Sequence, residues 1–591
     1  MPYSLRINIM PSTQISKSQA RTHIRATFSP EHILEGAVGT TAGEFLEAAD
    51  GDLEYAAPIM GAIIDGQLRE LDYPIKRDVN IAPVLLDTSD GGRIYRRSLV
   101  FLMVTAADKV WPGTQISVRY AVPDGGFYCT RLNAPPFNPQ DLGRLEAHMR
   151  EIVSADAPIT KREASLEEIR ALFAARDEQD KVRLLEQRER PSLMLYELLG
   201  REDTYYGYML PSTGALKHFR LIWTPTGFIL QYPRKDAPGI LRPIRAYDKL
   251  GRVFSQADEW LLRMGIEDVG RLNRLVGEEK RLNEIMLVAE ALHEQNIANI
   301  AGEIERRHQS EGTRLVLIAG PSSSGKTTFS KRLAIQLLAH GLRPFTLELD
   351  NYFVDRKFTP LDEDGNYNFE ALEAINLSLF NQHLQALTAG EEVILPRFDF
   401  LTGQSVPDRA ARLSENQILV VEGIHGLNPN LVPDVKRNVI HRVYVSALTQ
   451  LNIDNHNRVP TTDVRLLRRI VRDARTRGYT ATDTLERWSS VRRGERRNIF
   501  PYQENADSMF DSALVYELAA LRPMVESLLL QVKRDIPAHI EAKRLLSFLT
   551  WVRPLAPHHL GLIPDTSLLR EFIGGSILKD YHPTSPGEKL D

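Results

Sequence analysis

A single cysteine, Cys129, is all the thiol chemistry in this 591-residue sequence. One cysteine excludes an internal disulfide and any zinc cluster built from cysteines, and such usage suits a reducing compartment. Charge of one sign is missing too. The 73 Lys and Arg against 77 Asp and Glu leave a formal net charge of −4, so no global pull toward nucleic acid or an anionic membrane is expected. No apolar run approaches the ~18 residues needed to span a bilayer. The start, Met1-Pro2-Tyr3-Ser4-Leu5-Arg6, lacks the apolar core of a secretion signal. Internal repeats and low-complexity tracts are absent. These absences point to a cytoplasmic protein without a membrane partner. Its length asks for several domains, because single cores stop growing near ~250–300 residues.

What is present is concentrated in one run, Gly320-Pro321-Ser322-Ser323-Ser324-Gly325-Lys326-Thr327. It fits G-x-x-x-x-G-K-[ST], a loop whose successive backbone N–H groups wrap a nucleotide's phosphates. Gly320, Ser322, Ser323, Ser324, Gly325, Lys326, Thr327 and Thr328 are the expected nucleotide-binding residues. Lys326 reaches the β- and γ-phosphates as a point charge, and the Thr327 hydroxyl is an expected Mg²⁺ ligand. The flanks agree: Leu315 to Ala319 reads as a buried strand. Thr328 to His340 reads as a helix closed by Gly341, with its positive dipole end toward the phosphates.

Two further strands narrow the chemistry. Phe345 to Leu349 delivers Asp350 at a strand's C-terminal end, where open α/β sheets place their ligands. A carboxylate there can accept the proton of an acceptor hydroxyl during phosphoryl transfer; a helix cap or turn aspartate is the structural alternative. Ile418 to Val421 carries Glu422, placed as a Walker-B-type acid on Mg²⁺ or its water shell. Arg465, Arg468, Arg469 and Arg472 recur at three- and four-residue steps on a helix ending at Gly478, and so share one face. A mobile lid neutralising the transferring phosphoryl is the preferred reading, with Arg465, Arg469 and Arg472 as catalytic candidates. A salt-bridged exposed face and an RNA-binding surface are the alternatives.

Residues 314–530 resemble the uridine kinase and phosphoribulokinase branch of P-loop kinases. The resemblance is carried by GPSSSGKTT (320–328), LDNYF (349–353), YNFEALEAI (367–375), LPRFDFLTG (395–403), VVEGIHGLN (420–428) and the arginine helix TDVRLLRRIVRDARTRG (462–478). It implies ATP- or GTP-dependent, Mg²⁺-dependent phosphorylation of a ribose-bearing acceptor, most simply the 5′-hydroxyl of a uridine- or cytidine-like nucleoside. By position, Asp350 matches the family's catalytic carboxylate and Tyr352 and Phe353 its pocket aromatics. Glu370 stands where a ribose-binding aspartate is usual, and Arg465 where a substrate-contacting arginine is. Phe398 replaces a common tyrosine, keeping a stacking surface. Gly403 occupies the place of a histidine that contacts the pyrimidine, so a base-directed donor is lost and discrimination with it. Another ribose or sugar-phosphate acceptor is therefore a close variant. An NTP-binding, RNA- or ribosome-associated regulator with slow hydrolysis is the rival from a different class.

Residues 21 to 232 resemble the TGS and editing-type domains of threonyl-tRNA synthetase, through GTTAGEFLEAADGDL (39–53), DGGRIYRRSLVFLM (90–103), VPDGGFYCTRL (122–132), PPFNPQDLGRLEAHMREIV (135–153) and LPSTGALKHFRL (210–221). The four editing positions of that family hold Arg97, Phe101, Tyr205 and Met209 here. No imidazole or thiolate remains among them for a metal. An editing hydrolase is not expected, and RNA binding by this half rests on family analogy alone.

The expected fold class is an α/β P-loop kinase core, a parallel sheet flanked by helices. A small ubiquitin-like α+β TGS domain and an α+β synthetase-editing-like domain precede it. The expected organisation is a frayed N-terminus (1–20), TGS-like domain (21–88), editing-like domain (89–235), helical linker (236–310), kinase-like domain (311–534) and C-terminal extension (535–591). The extension is expected to pack on the kinase core, ending in a disordered-looking stretch at 583–587.

Overall fold

The computed structural model describes residues 21–583 except 189, 364, 400, 401, 415, 416 and 450. The N-terminal 1–20, the end of the chain from 584, and Phe400-Leu401 of the LPRFDFLTG motif lie outside the described residues.

The front of the chain forms a five-stranded sheet in the order His32–Ala37, His23–Ser29, Val79–Leu85, Ile59–Ile64, Gln67–Arg69. Its central pair is parallel and the others antiparallel. The helix Ala42–Leu53 packs Phe45 and Leu46 onto this sheet, against Ile24, Ile64 and Ile81. Thr41 and Glu44 form a reciprocal capping box that fixes where it starts.

A second α+β unit follows. Its spine is the helix Ser89–Val110, buried along most of its length, with three- and four-stranded antiparallel sheets beside it. The Ser89-Asp90-Gly91-Gly92 stretch, whose paired glycines look like a turn, is the helix's first turn. The Gly91 amide donates to Thr88 Oγ1 at 3.0 Å, so a threonine cap sets its start. The helix Pro139–Ser154 starts at an asparagine cap, with Asn138 accepting from the Asp141 amide and proline in the first turn.

The third sheet positions the phosphate loop. Five strands lie parallel in the order Arg343–Glu348, Gln417–Glu422, Leu315–Ala319, Ile440–Ser446, Ser508–Asp511. Every residue of Leu315–Ala319 is buried; a parallel strand covered on both faces reads as a continuous apolar run for that reason. Helices Lys326–Ala339 and Glu279–Glu311 cover one face, joining Ile297, Ile300 and Ile304 to Phe329, Leu333 and Val316 in one cluster. The region expected as a helical linker thus supplies core. Helices Asp248–Met264, Val269–Val276 and Glu279–Glu311 make it up. Leu545, Leu549, Val552, Leu568 and Phe572 of the C-terminal extension belong to the same cluster. No described helix is long and apolar enough to cross a membrane.

Candidate active site

The loop Gly320–Gly325 runs from the buried strand Leu315–Ala319 into the helix Lys326–Ala339. Gly320 is there because of close approach: a Cβ on it would lie 1.9 Å from the Val445 carbonyl oxygen. Ser323 sits at φ 58°, a left-handed conformation rare for a residue with a side chain. Such a turn aims consecutive amides into one concavity, the arrangement that receives phosphate oxygens.

Around this concavity the three expected strands converge. Thr327 Oγ1 lies 3.5 Å from Glu422 Oε2, and Lys326 Nζ lies 3.8 Å from Glu422 Oε1. Burial pushes the Glu422 carboxyl up to about 7, Lys326 pulls it down, and Asp350, Glu348 and Glu571 push it further up. A hydroxyl and a carboxylate facing each other, both hard oxygen donors, fit a Mg²⁺ ion that keeps most of its ligands as water. Asp350 follows the strand Arg343–Glu348 in a short 3-10 turn, Leu349–Tyr352. Its side chain opens to the cleft. The protein packed around it raises its pKa, opposed by Lys326, Arg477 and Arg472.

Glu370 closes the opposite side. Its carboxyl is pushed up to about 7 by burial first, then by Glu495, while Arg469 and Lys326 pull it down. One of its oxygens, Oε2, is buried with no hydrogen-bond partner. An unsatisfied buried acceptor is costly, and it marks a place for an incoming donor.

The arginine helix Thr461–Thr476 departs from expectation. Arg465 and Arg468 are 1% and 0% exposed, so the helix is no mobile lid with a row of free guanidiniums, and no exposed salt-bridged face either. Arg465 ion-pairs with the fully buried Glu495, and its Nε donates to the Ser322 carbonyl at 2.9 Å. Arg468 pairs with Glu517 at 2.6 Å. The physical reason is the helix's other face: Val464, Leu467, Ile470 and Val471 are in the core and carry the arginines inward with them. Arg469 Nη1 donates to Ser322 Oγ at 2.7 Å and is the guanidinium that touches the loop from its edge. Arg472 lies on Asp473 at 2.9 Å.

The aromatic candidates also face inward. Tyr352 is 1% exposed, and its hydroxyl lies 3.1 Å from His383 Nδ1. Phe353 and Phe398 sit edge to face at 5.5 Å, both buried. Tyr352, Phe353 and Phe398 thus build the wall behind Asp350 rather than an open stacking surface. Gly403 has a local cause. It adopts φ +72° in the turn joining Glu392–Asp399 to Gln404–Arg412, and a Cβ would come within 2.8 Å of Arg356.

Two carboxylates on the loop were not foreseen from sequence. Glu495 Oε1 accepts from the Ser322 amide at 3.1 Å. Glu571, from the C-terminal extension, accepts from the Thr328 amide and hydroxyl. Nearby, Lys331 Nζ donates to the Leu578 carbonyl at 2.9 Å, and Arg475 to the Phe572 carbonyl at 3.0 Å.

In the second α+β unit the four editing-type positions cluster as packing residues. The Phe101 and Tyr205 rings lie 5.1 Å apart, Ser98 Oγ reaches Met209 Sδ, and Arg97 donates to the Tyr208 carbonyl. None is a metal ligand. Among the described residues the single group of three His, Asp or Glu donors close enough to share an ion is Glu279, His558 and His559.

Residues 315–518 match the Phosphoribulokinase / Uridine kinase family. The N-terminal region matches threonine–tRNA ligases: 28% identity over 200 residues with that of Desulforamulus reducens, and 33% over 168 residues with that of Burkholderia lata. These alignments cover 34% and 28% of this chain, and the chain spans only 31% and 26% of those relatives. Among solved structures, a "Possible Uridine Kinase" from Bacillus stearothermophilus aligns at 18% identity and TM-score 0.24, over 34% of this chain and 89% of that one. The fold is therefore an α/β P-loop kinase core preceded by TGS-like and synthetase-editing-like α+β domains.

Proposed function

We propose that this P-loop phosphotransferase is an ATP- or GTP-dependent, Mg²⁺-dependent kinase that phosphorylates the 5′-hydroxyl of a nucleoside, uridine- or cytidine-like, in the cytoplasm. The observation that carries the reading is the convergence of Lys326, Thr327, Glu422 and Asp350 at the C-terminal ends of adjacent parallel strands. We place the kinase unit at about 311–534, with the TGS-like unit at 21–88 and the editing-like unit at 89–235.

In this reading the loop amides and Lys326 hold the triphosphate, and Thr327 and Glu422 hold Mg²⁺, which offsets charge on the phosphates when bound. Asp350 accepts the proton of the acceptor hydroxyl as its oxygen bonds to the γ-phosphorus and the bond to the β-phosphate oxygen breaks, releasing the nucleoside diphosphate. Its raised pKa suits that work, because a stronger base takes the proton more readily. Glu370, with a free buried oxygen, accepts a ribose hydroxyl. Arg469 stands beside Ser322 to meet charge on the transferring group, while Arg465 positions the loop through the Ser322 carbonyl.

Gly403 favours a second reading, in which the acceptor is another ribose or sugar phosphate. The turn geometry there leaves no room for a base-reading side chain. ADP release from ATP and Mg²⁺ against uridine, cytidine, adenosine, guanosine, inosine, ribose and ribulose 5-phosphate separates the two. Turnover with a nucleoside supports the first and turnover only with ribose or its phosphate the second. Acceptor-independent hydrolysis would replace both with an RNA-associated regulator.

A further inference from the structure

A cavity of about 1010 Å³ lies apart from the phosphate cleft. It lies where the editing-like unit, the start of the arginine helix and the C-terminal helix Ala538–Leu549 meet, with Arg97, Arg458 and Lys543 contributed by the three parts. Its volume is that of a ligand site rather than a packing defect.

Its charges do not cancel. Asp463 at its wall is held by Arg544 at 2.6 Å, and Asp90 by Arg93 at 2.8 Å, so these carboxylates are already committed. Arg96, Arg97 and Arg458 have no carboxylate partner among the described residues. Arg96 has only the Tyr232 ring, 5.4 Å away. Arg97 has the Tyr208 carbonyl, and Arg458 the Arg119 carbonyl at 3.0 Å. Burial lowers all three pKa values, Arg97 and Arg458 to about 10; neighbouring arginines add to the effect, while Asp463 opposes it at Arg96 and Asp258 at Arg458 from beyond ion-pair distance. The hydroxyl of Tyr205, a residue 6% exposed on the cavity wall, has no hydrogen-bond partner.

Three partly buried guanidiniums with no carboxylate in ion-pair reach among the described residues favour an anionic ligand beside them. Guanidinium planes match phosphate oxygens in pairs, and a dianion answers several of them at once. Beyond the arginines the lining turns aromatic, with Phe127, Tyr232 and Trp551, a surface for the organic part of a ligand. We propose that this cavity is a binding site for a small organic phosphate, held by Arg96, Arg97 and Arg458. The site is separate from the kinase reading and stands or falls without it. The helix that begins at this cavity with Thr461 also carries Arg465 and Arg469 to Ser322, so the two sites share one element.

The test is phenylglyoxal modification of the full-length protein, read residue by residue by mass spectrometry, with inorganic phosphate, ribose 5-phosphate or UMP present. Ribose 5-phosphate and UMP distinguish a sugar phosphate from a nucleotide. The expected result is at least tenfold slower modification of Arg96, Arg97 and Arg458 with one organic phosphate, retained in Lys326→Ala, whose phosphate loop is disabled. Arg96→Met should weaken the same ligand at least tenfold in a thermal-shift titration; the protection data on unmodified protein decide the matter should that variant fold poorly. Equal modification with and without every phosphate overturns the proposal. So does protection by inorganic phosphate alone, or protection that Lys326→Ala abolishes.

Discussion

Glu571 accepts hydrogen bonds from the Thr328 amide at 3.3 Å and the Thr328 hydroxyl at 2.9 Å. A carboxylate from the end of the chain therefore sits at the start of the phosphate-loop helix, on groups that a triphosphate needs. Negative charge is favoured there by the helix dipole, whether it comes from a glutamate or a phosphate.

Glu571→Gln should accordingly tighten nucleotide binding. The lost competitor is a charge-assisted hydrogen bond, about 1.5–3 kcal/mol, so a gain of roughly ten- to hundredfold in affinity for ATP is expected. Calorimetric titration of both proteins measures it. Unchanged or weaker binding would show that Glu571 leaves the site before nucleotide enters without cost, or supports the loop.

Arg465→Ala should lower the unfolding free energy by about 3–5 kcal/mol, because Glu495 would stay buried without its partner. Denaturant unfolding reads this directly. Arg469 meets the Ser322 hydroxyl and Asp473, which keeps Arg472 and Arg477 as partners, so Arg469→Ala should cost stability far less while still lowering turnover. Equal stability for the two variants would contradict the buried-pair account.

How much of this was legible in sequence differs by residue. The phosphate loop, its strand and Glu422 were readable because glycine spacing and an apolar run encode local geometry. The inward turn of Arg465 and Arg468 was not. Three- and four-residue spacing says that arginines share a face, and only tertiary packing says whether water or Glu495 and Glu517 lie opposite. Glu571 was unreadable for a similar reason: it lies 243 residues from Thr328. The start of the helix Ser89–Val110 is equally hard to read, because glycines there resemble a break unless the Thr88 cap is recognised.

Glu370 gives a pH dependence. Its folded pKa of about 7 lies above the ordinary carboxylate value of 4.5, so the folded state holds the proton more tightly. The contribution to stability is fully present below about pH 4.5 and is lost as pH rises through 7, at most about 3 kcal/mol at about 1.4 kcal/mol per pH unit. Glu370→Gln should flatten the fall in melting temperature between pH 5 and 7. A parallel slope in the variant would place the titration elsewhere.

Gly403→His should destabilise the hairpin of Glu392–Asp399 and Gln404–Arg412 by about 1–3 kcal/mol, since φ +72° is strained for histidine and Arg356 must move. Hydrogen exchange across residues 392–412 reports it. Exchange identical to the unmodified protein would mean that the turn tolerates a side chain, and the acceptor argument built on Gly403 would fall.

The account turns on Asp350, and the most direct measurement is acceptor-dependent ADP release by Asp350→Asn, with ATP binding measured on the same sample. The proton acceptor is lost while Lys326, Thr327 and Glu422 stay in place. ATP binding should therefore persist within about threefold while turnover falls roughly 10²–10⁴-fold. Turnover equal to that of the unmodified protein, at retained ATP binding, would contradict hydroxyl-directed phosphoryl transfer at this site.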